Sequence, residues 1–231
     1  MLERFKAHLP VGTDVRNEDG NVSRKTLELV ANNAWGGGMD KASGNFLKAL
    51  YDYSGKQFNS ALDYYGKAVE ESSDEDGLDK LYGAFYHLNR GVLRADMIDF
   101  ISSIESNVQV LSMDDTGNTR ARVKDQVTRK YDYTDAIADM KAALDLVPDI
   151  PYLHFNLGNL YCLSSEHINS IDSYTKAIEA YPYMGDAYFN RGLVLIYLKD
   201  KEKGCIDLSR AGELGVEDAY SVIKKYCEEE K

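Results

Sequence analysis

Basic charge, proline, cysteine and long apolar runs are all scarce in this chain of 231 residues. Lysine and arginine number 27 against 38 acidic residues, a formal net charge of −11. A field of that sign opposes gripping a nucleic-acid backbone or an anionic lipid surface through overall charge. Four prolines and 17 tyrosines argue against a long disordered linker. The three cysteines, Cys162, Cys205 and Cys227, are too few for a disulfide framework, and none has CxxC or Cys/His zinc spacing. Cys205 and Cys227 fall on elements expected to be neighbours. Core filler is the commoner use of such cysteines, and a redox-sensitive link is the alternative. No run approaches the roughly 18 apolar residues of a membrane span, so no membrane insertion is expected. The start, Met1 to Pro10, lacks the apolar centre of a secretion signal. The compartment stays open: cytoplasmic by default, exported if a parent protein carries a signal.

What is present is a globular balance, 44% hydrophobic and 28% charged, and an internal repeat. Leu88-Asn89-Arg90-Gly91-Val92, Phe155-Asn156-Leu157-Gly158-Asn159 and Phe189-Asn190-Arg191-Gly192-Leu193 look alike, and Gly158 and Gly192 stand 34 residues apart. Twelve residues beyond Gly158 comes Ser170, then Tyr174, Ala177 and Pro182. Twelve beyond Gly192 comes Gly204, then Leu208 and Ala211. The small–large–small pattern recurs as Ala61, Tyr65, Ala68 and as Ala136, Met140, Ala143, Pro148. Such spacing lets two helices pack closely around one bulky side chain.

These residues closely resemble the tetratricopeptide repeat, a helix-turn-helix unit. The likeness covers 151–184 and 185–214 and, in part, 42–75; nothing in 1–39 shares it. The close of the chain looks like the final repeats of bacterial members. The fold this implies is all-α: an α-solenoid with a C-terminal capping helix over about 217–229. Residues 1–39 form a separate segment with one helix expected over 22–35 and a Gly36-Gly37-Gly38 hinge. The repeat domain is expected over 40–231. A capped end and an uncapped start lead to the expectation of a C-terminal part of a longer protein.

One interval breaks the pattern. Gly91 to Ala136 is 45 residues, where equivalent positions elsewhere are 12 apart. The surplus is nearly a whole repeat, so a degenerate extra repeat is one reading. The favoured one is a long helix through about Ile104 followed by a β-hairpin arm between the two helices of one repeat, an insertion over about 99–130. Val108 and Val110 flank Gln109, Asp114 to Asn118 is a turn cluster, and Thr119 to Val123 alternates in character.

Candidate chemistry is thin. His8, His87, His154 and His167 are scattered, with no pair spaced for a metal. The glycine run lacks the Lys-Ser/Thr of a phosphate loop, and no Gly-x-Ser-x-Gly elbow exists. No enzyme activity, metal or cofactor is therefore expected, but a non-catalytic scaffold for a protein or peptide partner of unknown identity. The resemblance implies that the first helix of each repeat lines a concave groove. Carried onto this chain, the lining is Tyr152, Phe155, Asn156, Asn159, Asp186, Phe189, Asn190, Leu193 and Tyr197. Phe155 stands where a carboxylate clamp would have its first lysine, and Asp186 adds an acid that would repel a carboxylate, so an apolar or aromatic segment, or a whole folded partner, suits the groove better. Arg120, Arg122 and Lys124 on the arm are a second contact for an acidic surface. Lacking interleaved aromatics, they do not suggest nucleic acid. The alternative function is self-assembly as a homodimer.

Overall fold

The computed structural model describes residues 40–73, 77–107, 111–113, 119–121 and 131–227. The helix expected over 22–35, the glycine hinge, the 114–118 turn cluster, and Arg122 and Lys124 lie outside them. The described chain is a run of antiparallel helix pairs. The first pair is α1 (Lys41–Ser54) with α2 (Phe58–Glu70), and the second is α3 (Gly77–Asn107) with α4 (Thr134–Leu146). Then follow α5 (Pro151–Leu163) with α6 (His167–Ala180), α7 (Gly185–Tyr197) with α8 (Lys201–Glu213), and the closing α9 (Asp218–Tyr226). Between α3 and α4 two short strands, β1 (Leu111–Met113) and β2 (Thr119–Ala121), pair antiparallel with Ser112 opposite Arg120. The arm is therefore a hairpin carried between the two helices of one repeat, as the 45-residue interval suggests.

Three of the pairs turn in the same way, on a residue the sequence does not advertise. Lys56, Ser165 and Lys199 occupy one repeat position, and each has a positive φ, 59°, 63° and 72°. The next amide of each reaches back five residues: Gln57 to the Asp52 carbonyl at 2.9 Å, Glu166 to Tyr161 at 2.7 Å and Asp200 to Leu195 at 2.9 Å. This is the closure that satisfies the last carbonyls of a helix and reverses the chain. In the second pair the same position is Ile98, which stays helical, and α3 runs on for 31 residues in all. Other ends have plain causes. Asp40 caps α1 through its bond from the Ser43 amide at 2.8 Å, and Pro151 starts α5 with its ring already at a helical φ.

Within each pair the first helix offers a small residue to the large one of the second. A Cβ on Gly158 would fall 2.6 Å from Cδ1 of Tyr174, so glycine is what admits the ring. The apolar core repeats in the same rhythm. Phe46, Tyr65 and Leu93 sit in one cluster, Leu88, Met140 and Leu157 in the next, Phe155, Tyr174 and Val194 in the third, and Phe189, Leu208 and Ala219 in the last. Each cluster joins one pair to the first helix after it, as expected of a stack stabilised by nearest neighbours.

A polar clasp accompanies the core. Arg90 and Arg191 precede the small residue of their helices; Asp139 and Asp207 precede the large residue of the partner helices. Arg90 Nη2 meets Asp139 Oδ1 at 2.6 Å, and Arg191 Nε meets Asp207 Oδ2 at 2.7 Å. In the first pair the same two positions are Lys48 and Tyr64, and the ammonium lies 4.0 Å from the ring centroid. In the third they are Leu157 and Ser173, both buried.

Candidate functional site

Helices α5 and α7 carry the nine residues expected to line the groove. The structure divides them. Phe155, Asn156, Asn159, Phe189 and Asn190 are interior, none more than 3% exposed. Phe155 packs at a tilt on Tyr174, ring centroids 5.9 Å apart, and Phe189 belongs to the core over α8 and α9. Asn159 Oδ1 accepts from the Tyr174 hydroxyl at 2.7 Å and from Asn190 Nδ2 at 2.9 Å. Asn159 and Asn190 thus bridge neighbouring helix pairs within the stack, at positions where the resemblance implied an open groove. Burial pushes the Tyr174 phenol far above its ordinary range, so its proton stays available to Asn159.

Tyr152, Asp186 and Leu193 are partly exposed, and Tyr197 is 68% exposed. Tyr197 stands edge-on to the His167 ring, centroids 4.9 Å apart. Its counterpart one repeat earlier is Leu163, also exposed, and Ile168 is 73% exposed. All four lie where first helices end and second helices begin. A second apolar feature occupies the corresponding edge of the first two pairs. There a cavity of about 410 Å³ is lined by Phe58, Met97, Phe100 and Ile101 with Lys56 and Ser60, and Phe58 and Phe100 meet edge to face at 5.5 Å.

Of the arm's cations, Arg120 lies in β2. Glu70, the last residue of α2, and Glu71 after it are exposed acids, and Asn45 Nδ2 donates to Glu71 at 3.0 Å.

One constellation was not anticipated from the sequence. Asp139, 2% exposed, accepts from Arg90, from Arg94 at 2.6 Å and faces His87 Nδ1 at 3.2 Å. Burial alone would raise its carboxyl, but the bonds from His87 and Arg90 and the charges of both arginines hold it below the usual value. The recurrence of Asn-Arg-Gly at 89–91 and 190–192, with an aspartate ahead of each large residue, was the available signal. For Cys205 and Cys227 the structure has the link and not the core filler that was the commoner expectation: a disulfide, Cα atoms 5.8 Å apart, while Cys162 is free and half-buried. Among the described residues no group of three or more His, Cys, Asp or Glu is placed to hold a metal, and no helix is long and apolar enough to cross a membrane.

No protein-family model matches the chain, and no curated protein does. Solved structures do. A fragment of MamA (41-end) from Desulfovibrio magneticus RS-1 matches with a TM-score of 0.54 at 10% identity, covering 83% of this chain and 94% of that one. A MamA RS-1 double mutant gives 0.56 at 10% identity, covering 82% and 83%. TTC0263, a thermophilic TPR protein of Thermus thermophilus, gives 0.53 at 13% identity over 87% and 89%. The fold is a tetratricopeptide-like solenoid. Sequence identities this low speak for the solenoid architecture alone.

Proposed function

We propose that this solenoid is a non-catalytic protein–protein interaction scaffold that takes an apolar or aromatic segment of a partner along the first helices of its last two repeats. One observation carries the reading: Leu163 and Tyr197 occupy the same position in successive repeats, and both are exposed. Scattered exposed apolar residues need no explanation, but a pair repeating with the architecture gives an extended segment two anchors. Tyr152, Asp186 and Leu193 complete the surface, a ring and an aliphatic chain beside one acid that disfavours an acidic peptide. Phe155, Asn156, Asn159, Phe189 and Asn190 act from beneath, fixing the distance between the two helices. Arg120, Arg122 and Lys124 form a second contact, for an acidic stretch of the same partner.

The test is selection from a displayed peptide library, followed by binding of the enriched peptide in solution. Tyr197→Ser and Leu163→Ser should each weaken it at least tenfold, about 1.4 kcal/mol. Tyr181→Ser, at the opposite edge of the stack, should leave it unchanged. Equal binding by all three variants would move the site elsewhere. Self-assembly, the other reading, predicts a mass near twice 25.9 kDa in light scattering; a monomer at working concentrations removes it.

A further inference from the structure

We propose that the Cys205–Cys227 disulfide is a reversible latch on the closing helix, opened by a dithiol reductant that enters beside Cys205. The bond ties α8 to the residue just after α9, across a sequence separation of 22. A surface depression of about 420 Å³ is lined by Cys205, Ile206, Ser209, Arg210 and Glu213. It opens to solvent beside Cys205, itself partly exposed. Arg210 and Glu213 on its rim pair with each other at 2.7 Å, so no unbalanced acid at that point repels an incoming thiolate.

The chemistry balances as ordinary thiol–disulfide exchange. The reductant's thiolate attacks Cys205 Sγ, and the electron pair of the S–S bond leaves on Cys227, which takes a proton. The reductant's second thiol, deprotonated, then attacks its own sulfur in the mixed disulfide and releases Cys205, which is protonated in turn. The dithiol departs as a disulfide, having passed two electrons and two protons to the protein.

What the latch controls follows from how little else holds α9. The helix has nine residues, and Ala219 alone among them is buried. Its remaining apolar contacts are Val222 and Ile223, partly exposed against the core of Leu208 and Ala211, and the exposed Tyr220, whose ring lies over Gly212. A helix of that length is unstable by itself. With the bond open, α9 frays and the end of the stack over Leu208 and Ala211 is uncovered. The state of that end is thereby tied to the thiol poise around the protein.

The experiment uses the full chain and dithiothreitol. Thiol counting in denaturant should find one thiol before reduction and three after it. Reduction under native conditions should proceed within about tenfold of the rate in denaturant, because Cys205 is partly exposed. Ile206→Trp, which fills the depression, should slow the native reaction at least tenfold and leave the denatured rate unchanged. Hydrogen exchange across α9 should quicken at least tenfold on reduction, with α4 to α7 unaltered. Cys227→Ser should reproduce the reduced pattern with helical circular dichroism intact; if that variant unfolds, exchange in the oxidised and reduced wild type decides. Three thiols in air-purified protein, reduction only in denaturant, or unaltered exchange in α9 would each overturn the latch.

Discussion

Arg191 holds Asp207 with two hydrogen bonds, Nε to Oδ2 at 2.7 Å and Nη2 to Oδ1 at 2.9 Å, and its third arm donates to Thr175 Oγ1 at 2.9 Å. The bond links the two helices of the last pair through a position filled by Arg90 and Asp139 in the second pair and by Leu157 and Ser173 in the third. One packing site thus accepts either a matched ion pair or a smaller, uncharged combination.

That interchange makes the pair strongly non-additive. Asp207→Ser alone leaves a half-buried guanidinium without its carboxylate and should cost about 2–4 kcal/mol. Adding Arg191→Leu, which grafts the third repeat's solution, should recover at least about 1 kcal/mol of that loss. Urea unfolding of the two single variants and the double one checks it. A double variant as unstable as the sum of the singles would mean that the ion pair is not the unit.

Asp139 should shape the acid limb of stability. Its carboxyl titrates below the ordinary value in the folded chain, so the native state resists protonation more than the unfolded one. The resulting stabilisation is complete above the unfolded carboxylate range near pH 4 and fades as pH falls through the lower folded value. Unfolding free energies between pH 7 and 3 should decline more steeply for the wild type than for Asp139→Asn, which starts lower. Parallel curves would show that this carboxylate does not set the slope.

The turn residues carry strain that glycine would relieve. A left-handed backbone costs a side-chain-bearing residue about 1–2 kcal/mol, against which glycine loses about 0.5–1 kcal/mol of chain entropy. Ser165→Gly with Lys199→Gly should therefore raise Tm by a few degrees, about 2–4 °C per kcal/mol for a chain of this size. Calorimetry gives the answer directly, and a fall in Tm would mean that their side chains contribute more than the strain removes.

Glycines separate by what lies opposite them. Gly158→Ala forces a methyl against Tyr174 and should destabilise by about 1–3 kcal/mol. Gly66→Ala, in α2, meets nothing within 4 Å and should stabilise by about 0.5–1 kcal/mol through helix propensity alone. Thermal melts of the two should move in opposite directions.

The helix pairs were legible because their cause is local. A small residue and a large one at fixed spacing declare where two helices touch, and Gly158, Tyr174, Gly192 and Leu208 do so without help from distant parts of the chain. The hairpin was legible from an interval too long for its neighbours together with the turn cluster and the alternation that follows it within that interval. Less of the candidate surface was legible. Asn156, Asn159 and Asn190 were assigned to the groove from their place on first helices, whereas all three are buried and Asn159 and Asn190 find partners on other helices. Asn159 meets Tyr174 from the next helix and Asn190 from the next repeat, a relationship that no single helical pattern contains. The disulfide was legible only as the less common of two readings, since the repeat made Cys205 and Cys227 neighbours but two cysteines 22 residues apart carry no spacing signature. Lys56 and Lys199 gave no turn signal at all, for lysine is not a residue that favours a positive φ.

The second pair's refusal to turn has a structural consequence. Past Ile98, where its counterparts reverse, α3 continues for nine more residues to Asn107, about 14 Å of helix at 1.5 Å per residue. α3 is also the helix shared by the first two core clusters, and past Ile98 its Phe100 meets Phe58 of α2 edge to face. The extra turns thus extend the seam between the first two pairs beyond the point where the other pairs reverse.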